Sequence, residues 1–204
     1  MIQETVSSKC QISLPMKQSE ILIMQSLGFV ENGPCPSILS EKRNVRHKMQ
    51  RDGRWHPPPP GVFKINTDGS SRGNPGYAGI GGVGRESDGN ACFIFSCYKG
   101  IHSNNYMEAL AICSALEQGL AMGWQRIICE SDSQIIINLL KTHHLDNAHW
   151  RLNLVVQQIF QICCNLEFIS FVHIPREWNR VADCLAKWAS QFQGNWLLAE
   201  DMFG

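Results

Sequence analysis

The sequence carries no net charge: 18 Lys and Arg balance 18 Asp and Glu over 204 residues. It therefore has no global basic signature of the kind that marks many nucleic-acid-binding chains. It also has no Cys-x-x-Cys pair among its nine cysteines, an odd number in which Cys163 and Cys164 are adjacent. That argues against a disulfide framework and against the common zinc spacings. Cysteines inside apolar runs, such as Cys113 and Cys129, read as small buried hydrophobes of a reduced, intracellular protein, nuclear or cytoplasmic. No apolar run approaches the ~18 residues of a membrane span. The polar start, Met1 to Cys10, lacks the charged-then-apolar order of a secretion signal. No membrane association is expected.

Within that balance the charge is uneven. Residues 1–60 hold eight Lys/Arg against five Asp/Glu, and residues 61–204 hold ten against thirteen. The first 60 residues read as an irregular tail and linker. Ser19 to Phe29 suits one short helix, broken by Gly33-Pro34-Cys35-Pro36. Lys42, Arg43, Arg46, Lys48, Arg51 and Arg54 face only Asp52, and Trp55-His56-Pro57-Pro58-Pro59-Pro60 follows as a polyproline spacer. The basic run is either a solvated, unstructured segment or a tethered phosphate-binding arm. With 44% apolar residues the chain has room for one core-bearing domain, expected over 61–191, with 192–204 as a tail.

Phe63 to Asn66 alternates apolar and polar residues at strand period and ends at Thr67-Asp68-Gly69-Ser70. A Gly73-Asn74-Pro75-Gly76 turn leads to a second strand near 77–86, and Asp88-Gly89-Asn90 to a third near 91–98. A helix is expected over Ser103–Met122, because Ala109, Ile112, Cys113, Leu116 and Leu120 share one stripe. Strand 4 is expected from Arg126 to Glu130, then helices at Gln134–Leu140 and Ala148–Cys163. Strand 5 is expected over Leu166–His173 and a last helix over Trp178–Gln191, striped by Trp178, Val181, Leu185 and Trp188. The order β-β-β-α-β-α-α-β-α predicts an α/β domain. It has a five-stranded mixed sheet, three antiparallel strands then two parallel, flanked by helices.

Four carboxylates punctuate this order, and each has a plain explanation. Asp68 is a turn aspartate, Glu108 a first-turn acid favoured by the helix dipole, Asp132 an N-cap. Asp183 is one half of an exposed ion pair with Lys187. Taken together they fall at strand ends and helix starts that one sheet edge would gather. If strands 1 and 4 are parallel neighbours, Asp68 and Asp132 meet at the carboxyl end of the sheet, where sites form. Acids packed that closely repel and need cations, and oxygen ligands at this density suit Mg²⁺ or Mn²⁺. Two such ions would clamp an in-line phosphoryl displacement.

Over about 61–191 the chain resembles the type 1 ribonucleases H, and more closely the reverse-transcriptase-like RNase H domains of plant non-LTR retroelements. The resemblance rests on Thr67-Asp68-Gly69-Ser70 with Gly73-Asn74-Pro75-Gly76, on Ser103-Asn104-Asn105-Tyr106-Met107-Glu108-Ala109-Leu110 and on Glu130-Ser131-Asp132-Ser133. It rests also on His173 through Asn179 to Ala182-Asp183 and Leu185-Ala186. It implies an RNase H-like fold and a metal tetrad of Asp68, Glu108, Asp132 and Asp183 for two Mg²⁺ (Mn²⁺ in their place). It implies a monomer acting on RNA/DNA hybrid. By resemblance, Gly69, Ser70, Asn74, Asn104 and Asn105 would contact the 2′-OH that marks RNA, and Ser103 a DNA-strand phosphate. His173 matches the family's mobile histidine, whose plain alternative is a strand-end residue without chemistry. Arg176 matches the arginine that replaces it in some members, its alternative being an ion pair with Glu177 or Asp183. One departure stands out. The family's basic handle follows the third acid, and here only Lys141, Arg151 and histidines lie between Asp132 and Pro175. Two functions follow: an endoribonuclease cutting the RNA strand of hybrids, or a domesticated domain that binds nucleic acid with little turnover. A 3′–5′ exonuclease of the same superfamily would need Asp-x-Glu on strand 1, and Gly69 and Ser70 follow Asp68 instead.

Overall fold

The strand-period pattern that starts at Phe63 continues well past Asp68. In the computed structural model, which describes residues 54–142 and 150–199, β1 runs Phe63–Gly73. It turns at Asn74-Pro75, joined by a cis peptide bond, into β2, Gly76–Arg85. β3 is Ala91–His102, α1 Asn104–Ala121, β4 Arg126–Ser131, α2 Gln134–Thr142 and α3 Trp150–Cys163. β5 (Phe168–His173), a 3₁₀ turn (Arg176–Trp178), α4 (Arg180–Phe192) and β6 (Asn195–Ala199) complete the chain order. The sheet order is β5-β4-β1-β2-β3-β6, parallel at β5/β4 and β4/β1 and antiparallel elsewhere.

Side chains alternate across the sheet, so each strand feeds two cores. On one face Ile65, Ile80, Phe93, Phe95 and Ile127 pack against Met107, Ile112 and Leu116 of α1 and Val156 and Ile159 of α3. On the other, Val83, Ala91 and Ile94 pack against Leu185, Trp188 and Ala189 of α4. The expected α1 stripe is buried except for Leu120, which is half-buried.

The sheet has six strands rather than the expected five. Residues 195–199, expected as tail, pair antiparallel with β3 and bury Trp196 against Trp188, with ring centroids 6.1 Å apart. β3 would otherwise leave an open hydrogen-bonding edge beside that core. Trp178 lies in the 3₁₀ turn rather than in α4, because the helix starts only after Asn179. The start expected for α3 at Ala148, the short N-terminal helix and all of the basic run except Arg54 lie outside the described residues. The start of the expected spacer is docked. Trp55 donates its indole N–H to Glu130 Oε2 (3.0 Å), and Lys64 Nζ donates to His56 O (2.7 Å). Among the described residues, no helix is long and apolar enough to cross a membrane.

α4 lies unusually close to the sheet because β2 presents glycines to it. A β-carbon at Gly79 would sit 2.5 Å from Ala189 Cβ, and one at Gly81 2.5 Å from Ala186 N. Ser96 Oγ, donating to Leu185 O at 2.7 Å, ties the same helix to β3. Gly81→Ala is expected to destabilise the domain by about 2–3 kcal/mol through overpacking, measured as a lower urea midpoint at unchanged slope. The buried Ser96→Ala, which only removes a hydrogen bond, should cost about 1 kcal/mol.

Candidate metal centre

β1 and β4 run parallel with Thr67 opposite Ser131, so Asp68 and Asp132 leave this register side by side at the carboxyl end of β4. Helix α1 brings in the third acid. It lies directly on β1 at Gly69, where a β-carbon would overlap the backbone of Met107 and Glu108; Glu108 is its fifth residue, so it is not the first-turn acid expected from the helix dipole. From there Glu108 Oε2 accepts the Gly69 N–H at 3.3 Å. Ligand oxygens of Asp68, Glu108 and Asp132 all lie within 4.8 Å of one another.

Two ionised carboxylates at that separation repel by about 3.5 kcal/mol at an effective dielectric of 20. Asp68 is also 3% exposed. Burial first, then the charges of Glu108, Asp132 and Asp183, hold its carboxyl well above the usual range. Burial and Asp132 push Glu108 up to about 8, against the opposing pull of the Gly69 N–H, Ser131 and Arg176. A hard cation removes this repulsion, and the all-oxygen donor set fits one. The trio is therefore a group that can hold a metal ion.

The plain explanations of the acids now separate. Asp132 is not the cap of α2: Ser133 Oγ stands at 3.5 Å from the Ile136 N–H, and Ser131 Oγ accepts the Ser133 N–H at 3.0 Å. The Asp132 carboxylate instead accepts from Asn179 Nδ2 at 2.8 Å. Asp183 does form its ion pair with Lys187 (2.7 Å) and a second with Arg176. It stands outside the trio, near enough for its charge to bear on Asp68. Arg176 makes the ion pair expected as its alternative, and Asp183 raises the guanidinium above its ordinary value, with Asp68 and Asp132 adding to the effect. His173 ends β5 opposite Ser131, half-buried.

The expected substrate residues gather at the start of α1. Asn74, Ser103, Asn104 and Asn105 are all exposed, and Asn74 Oδ1 accepts the Asn104 N–H at 3.1 Å, joining the β1–β2 turn to the helix. Ser70 is half-buried. Gly69 is different from expectation: the close approach it allows is that of helix α1, and its N–H faces Glu108.

Sequence reasoning gave no role to two features. Asn179, 1% exposed, bonds both Asp132 and the Thr67 carbonyl (2.8 Å each) and so braces the acid edge. Glu130 is buried with Lys64 (2.8 Å) and Asn66 (2.8 Å). Its one sequence signal was the polar Lys64 and Asn66 on a strand buried on both sides.

Residues 66–189, more than half of the chain, match the Reverse transcriptase-like protein family. The chain belongs to that family. It is an RNase H domain of the reverse-transcriptase-like kind, with the RNase H-like fold. It is similar to a putative ribonuclease H protein of Arabidopsis thaliana, 36% identical over 146 residues, 70% of this chain and 23% of that protein. It is similar also to ribonuclease HI of Halobacterium salinarum, 33% identical over 119 residues, 58% of this chain and 59% of that protein. The chain thus spans less than two thirds of either relative. Among solved structures, LC11-RNase H1 from compost, in complex with RNA/DNA hybrid, superposes with a TM-score of 0.60 at 33% identity. That match covers 64% of this chain and 98% of LC11-RNase H1.

In the folded, metal-free chain Asp68 and Glu108 hold their protons more tightly than they would unfolded. Their contribution to stability is therefore full at low pH and is lost as pH rises from the ordinary carboxylate range through about 8. In chelator, the melting temperature of the wild type should fall across that window. Asp68→Asn should flatten the fall and melt higher at neutral pH. A wild-type curve no steeper than that of the variant would show that the trio is not electrostatically strained.

Proposed function

We propose that this chain is a metal-dependent endoribonuclease that hydrolyses the RNA strand of RNA/DNA hybrids, leaving 3′-hydroxyl and 5′-phosphate ends. The observation that carries this reading is the meeting of Asp68, Glu108 and Asp132 within 4.8 Å at one sheet edge. The hybrid seen on LC11-RNase H1 supports the substrate class. Asp68, Glu108 and Asp132 are the ligands, with Asp183 as the fourth, for Mg²⁺ or Mn²⁺ as a pair of ions. Ions held by these residues would supply activation of water and neutralisation of charge at the scissile phosphate.

The protein groups do the rest. Asn179 holds Asp132 in orientation from behind, through a side chain that is itself buried. Asn74, Asn104 and Asn105, with Ser70 and the backbone at Gly69, present hydrogen-bonding groups to the 2′-OH of the RNA strand. Ser103 receives a phosphate of the DNA strand. In this reading His173, at the end of β5, moves a proton, and Arg176 screens charge beside Asp183.

A second reading, a binding domain with little turnover, has one observation in its favour: Asp183 is already neutralised by Arg176 and Lys187. Cleavage of a labelled hybrid in Mg²⁺ or Mn²⁺, beside single-stranded RNA and DNA duplex, separates the two. Cutting confined to the hybrid's RNA strand is expected, with Asp68→Asn slower by at least about 10²–10³-fold. Hybrid bound but left intact would establish the second reading instead. Removing residues 1–53, which leaves Trp55 in place, is expected to weaken hybrid binding and reduce its salt dependence, as loss of a basic arm requires. Unchanged binding would leave that segment without a role in substrate capture.

A further inference from the structure

On the α4 side, the sheet extends past the helix that covers it. Side chains alternate between faces, so Asp68, Ser70 and Arg72 of β1 share that face with their β2 partners Gly81, Gly79 and Tyr77. β3 completes the three rows with Ser96, Tyr98 and Ile101. The first two rows lie under α4, where a β-carbon at Gly81 or Gly79 would meet Ala186 N or Ala189 Cβ. The third row is uncovered: Arg72 is exposed, Tyr77 is 50% exposed and Ile101 62%. Single exposed apolar side chains are ordinary. Here two are direct cross-strand neighbours, with an arginine on the other flank of the tyrosine. No aromatic ring or cation stacks on Tyr77 among the described residues.

A bulge builds this row. Gly79 pairs with Tyr98 but Ala78 with Gly100, so Lys99 is left without a cross-strand partner, and Gly100 adopts a φ of 89°. An unbulged strand would set Gly100 opposite Tyr77 and turn Ile101 to the α1 face. The surrounding charge has one sign. Gly69–Gly84 and Ala91–Met107 contain Arg72, Lys99 and His102 and no Asp or Glu. Arg72 and Lys99 are exposed, and neither has an ion pair among the described residues.

Two apolar side chains fall far short of the ~800 Å² that each partner gives to a stable protein interface. An open aromatic face flanked by cations and free of acids instead matches single-stranded nucleic acid, whose bases stack on the ring while its phosphates meet the cations. Within a duplex both faces of each base are already stacked, so the ring selects an unpaired base. We propose that the row of Arg72, Tyr77 and Ile101 is a platform for an unpaired stretch of the RNA strand, where that strand runs beyond the hybrid. The choice of strand rests on the function proposed above, in which Ser70 in the next row and Asn74 in the β1–β2 turn meet the RNA 2′-OH. Four residues of β1 separate Arg72 from Asp68, about 14 Å, or some four nucleotide steps at ~3.4 Å each.

The test measures binding of the full chain in chelator, where cleavage does not intervene. The probes are a blunt RNA/DNA hybrid and the same hybrid with overhangs of about six nucleotides at both ends of either the RNA or the DNA strand. The readout is each protein's own ratio of affinities, overhang over blunt, from fluorescence anisotropy, so a variant that is merely less stable does not mimic the result. The RNA overhangs are expected to tighten wild-type binding about tenfold. Tyr77→Ala should bring the ratio to about one, and Tyr77→Phe, which keeps the ring, should retain it. Arg72→Ala should lower the ratio and its salt dependence. A wild-type ratio of about one, binding of neither probe, a ratio unchanged in Tyr77→Ala, or an equal or larger gain from the DNA overhangs would each overturn the proposal. Cleavage in Mg²⁺ separates the two readings. Hybrid that is cut but bound equally with and without overhangs keeps the nuclease and removes the platform. A gain from the RNA overhangs with no cutting keeps the platform and removes the nuclease.

Discussion

At Gly69, Gly79 and Gly81 there is no room for a β-carbon, because helices α1 and α4 rest on the sheet backbone itself. The placement of the acids depends on this contact. Gly69 lets the backbone of α1 at Met107 and Glu108 settle on β1, which carries Glu108 to Asp68. Gly79 and Gly81 let α4 settle on β2, which carries Asn179 and Asp183 toward the same edge. Larger residues would lift both helices, and acids spread further apart would lose the shared cation site while keeping much of the core.

That contact works against electrostatics. The three acids repel, and burial of Asp68 leaves little water to screen them. The fold tolerates this because Asn179 and the Gly69 N–H hydrogen-bond the carboxylates, while Asp183 carries its own two cations. With the oxygens already converged, and Asp68 and Glu108 held near protonation, the trio is prepared for a cation before it arrives. Little reorganisation then accompanies binding.

The same sheet face carries a second polar group, and it is of the opposite kind. Around Glu130 the charges are matched: Lys64 pairs with it, Asn66 and Trp55 donate to it, and Arg85 lies over the Trp55 ring. Matched charges can be sealed from water where unmatched acids cannot. Trp55 provides that seal, which is why a segment of low-complexity appearance is anchored to the domain. Asn179 stands between the two groups: it holds Asp132 on the acid edge, and it lines one pocket with Trp55 and Asn66.

Much of this was legible in the chain itself. Strand and helix periods, the Gly-Asn-Pro-Gly turn and the spacing of Asp68, Glu108, Asp132 and Asp183 are local or ordinal properties. They determined the element order, the α/β class and the candidate acids. The sixth strand was not legible, because five residues after a glycine carry no period long enough to read, and only the open edge of β3 gives them a partner. Nor was the meaning of Lys64, Asn66 and Glu130, since a polar residue on a buried strand has no explanation until its partner from another strand is known. Tertiary structure alone decided which acids touch. It gave Asp132 to Asn179 rather than to a helix cap, and Asp183 to Arg176 and Lys187. Distance between side chains from different elements depends on how closely helix and sheet pack, and that is set by glycines whose effect appears only when the two surfaces meet.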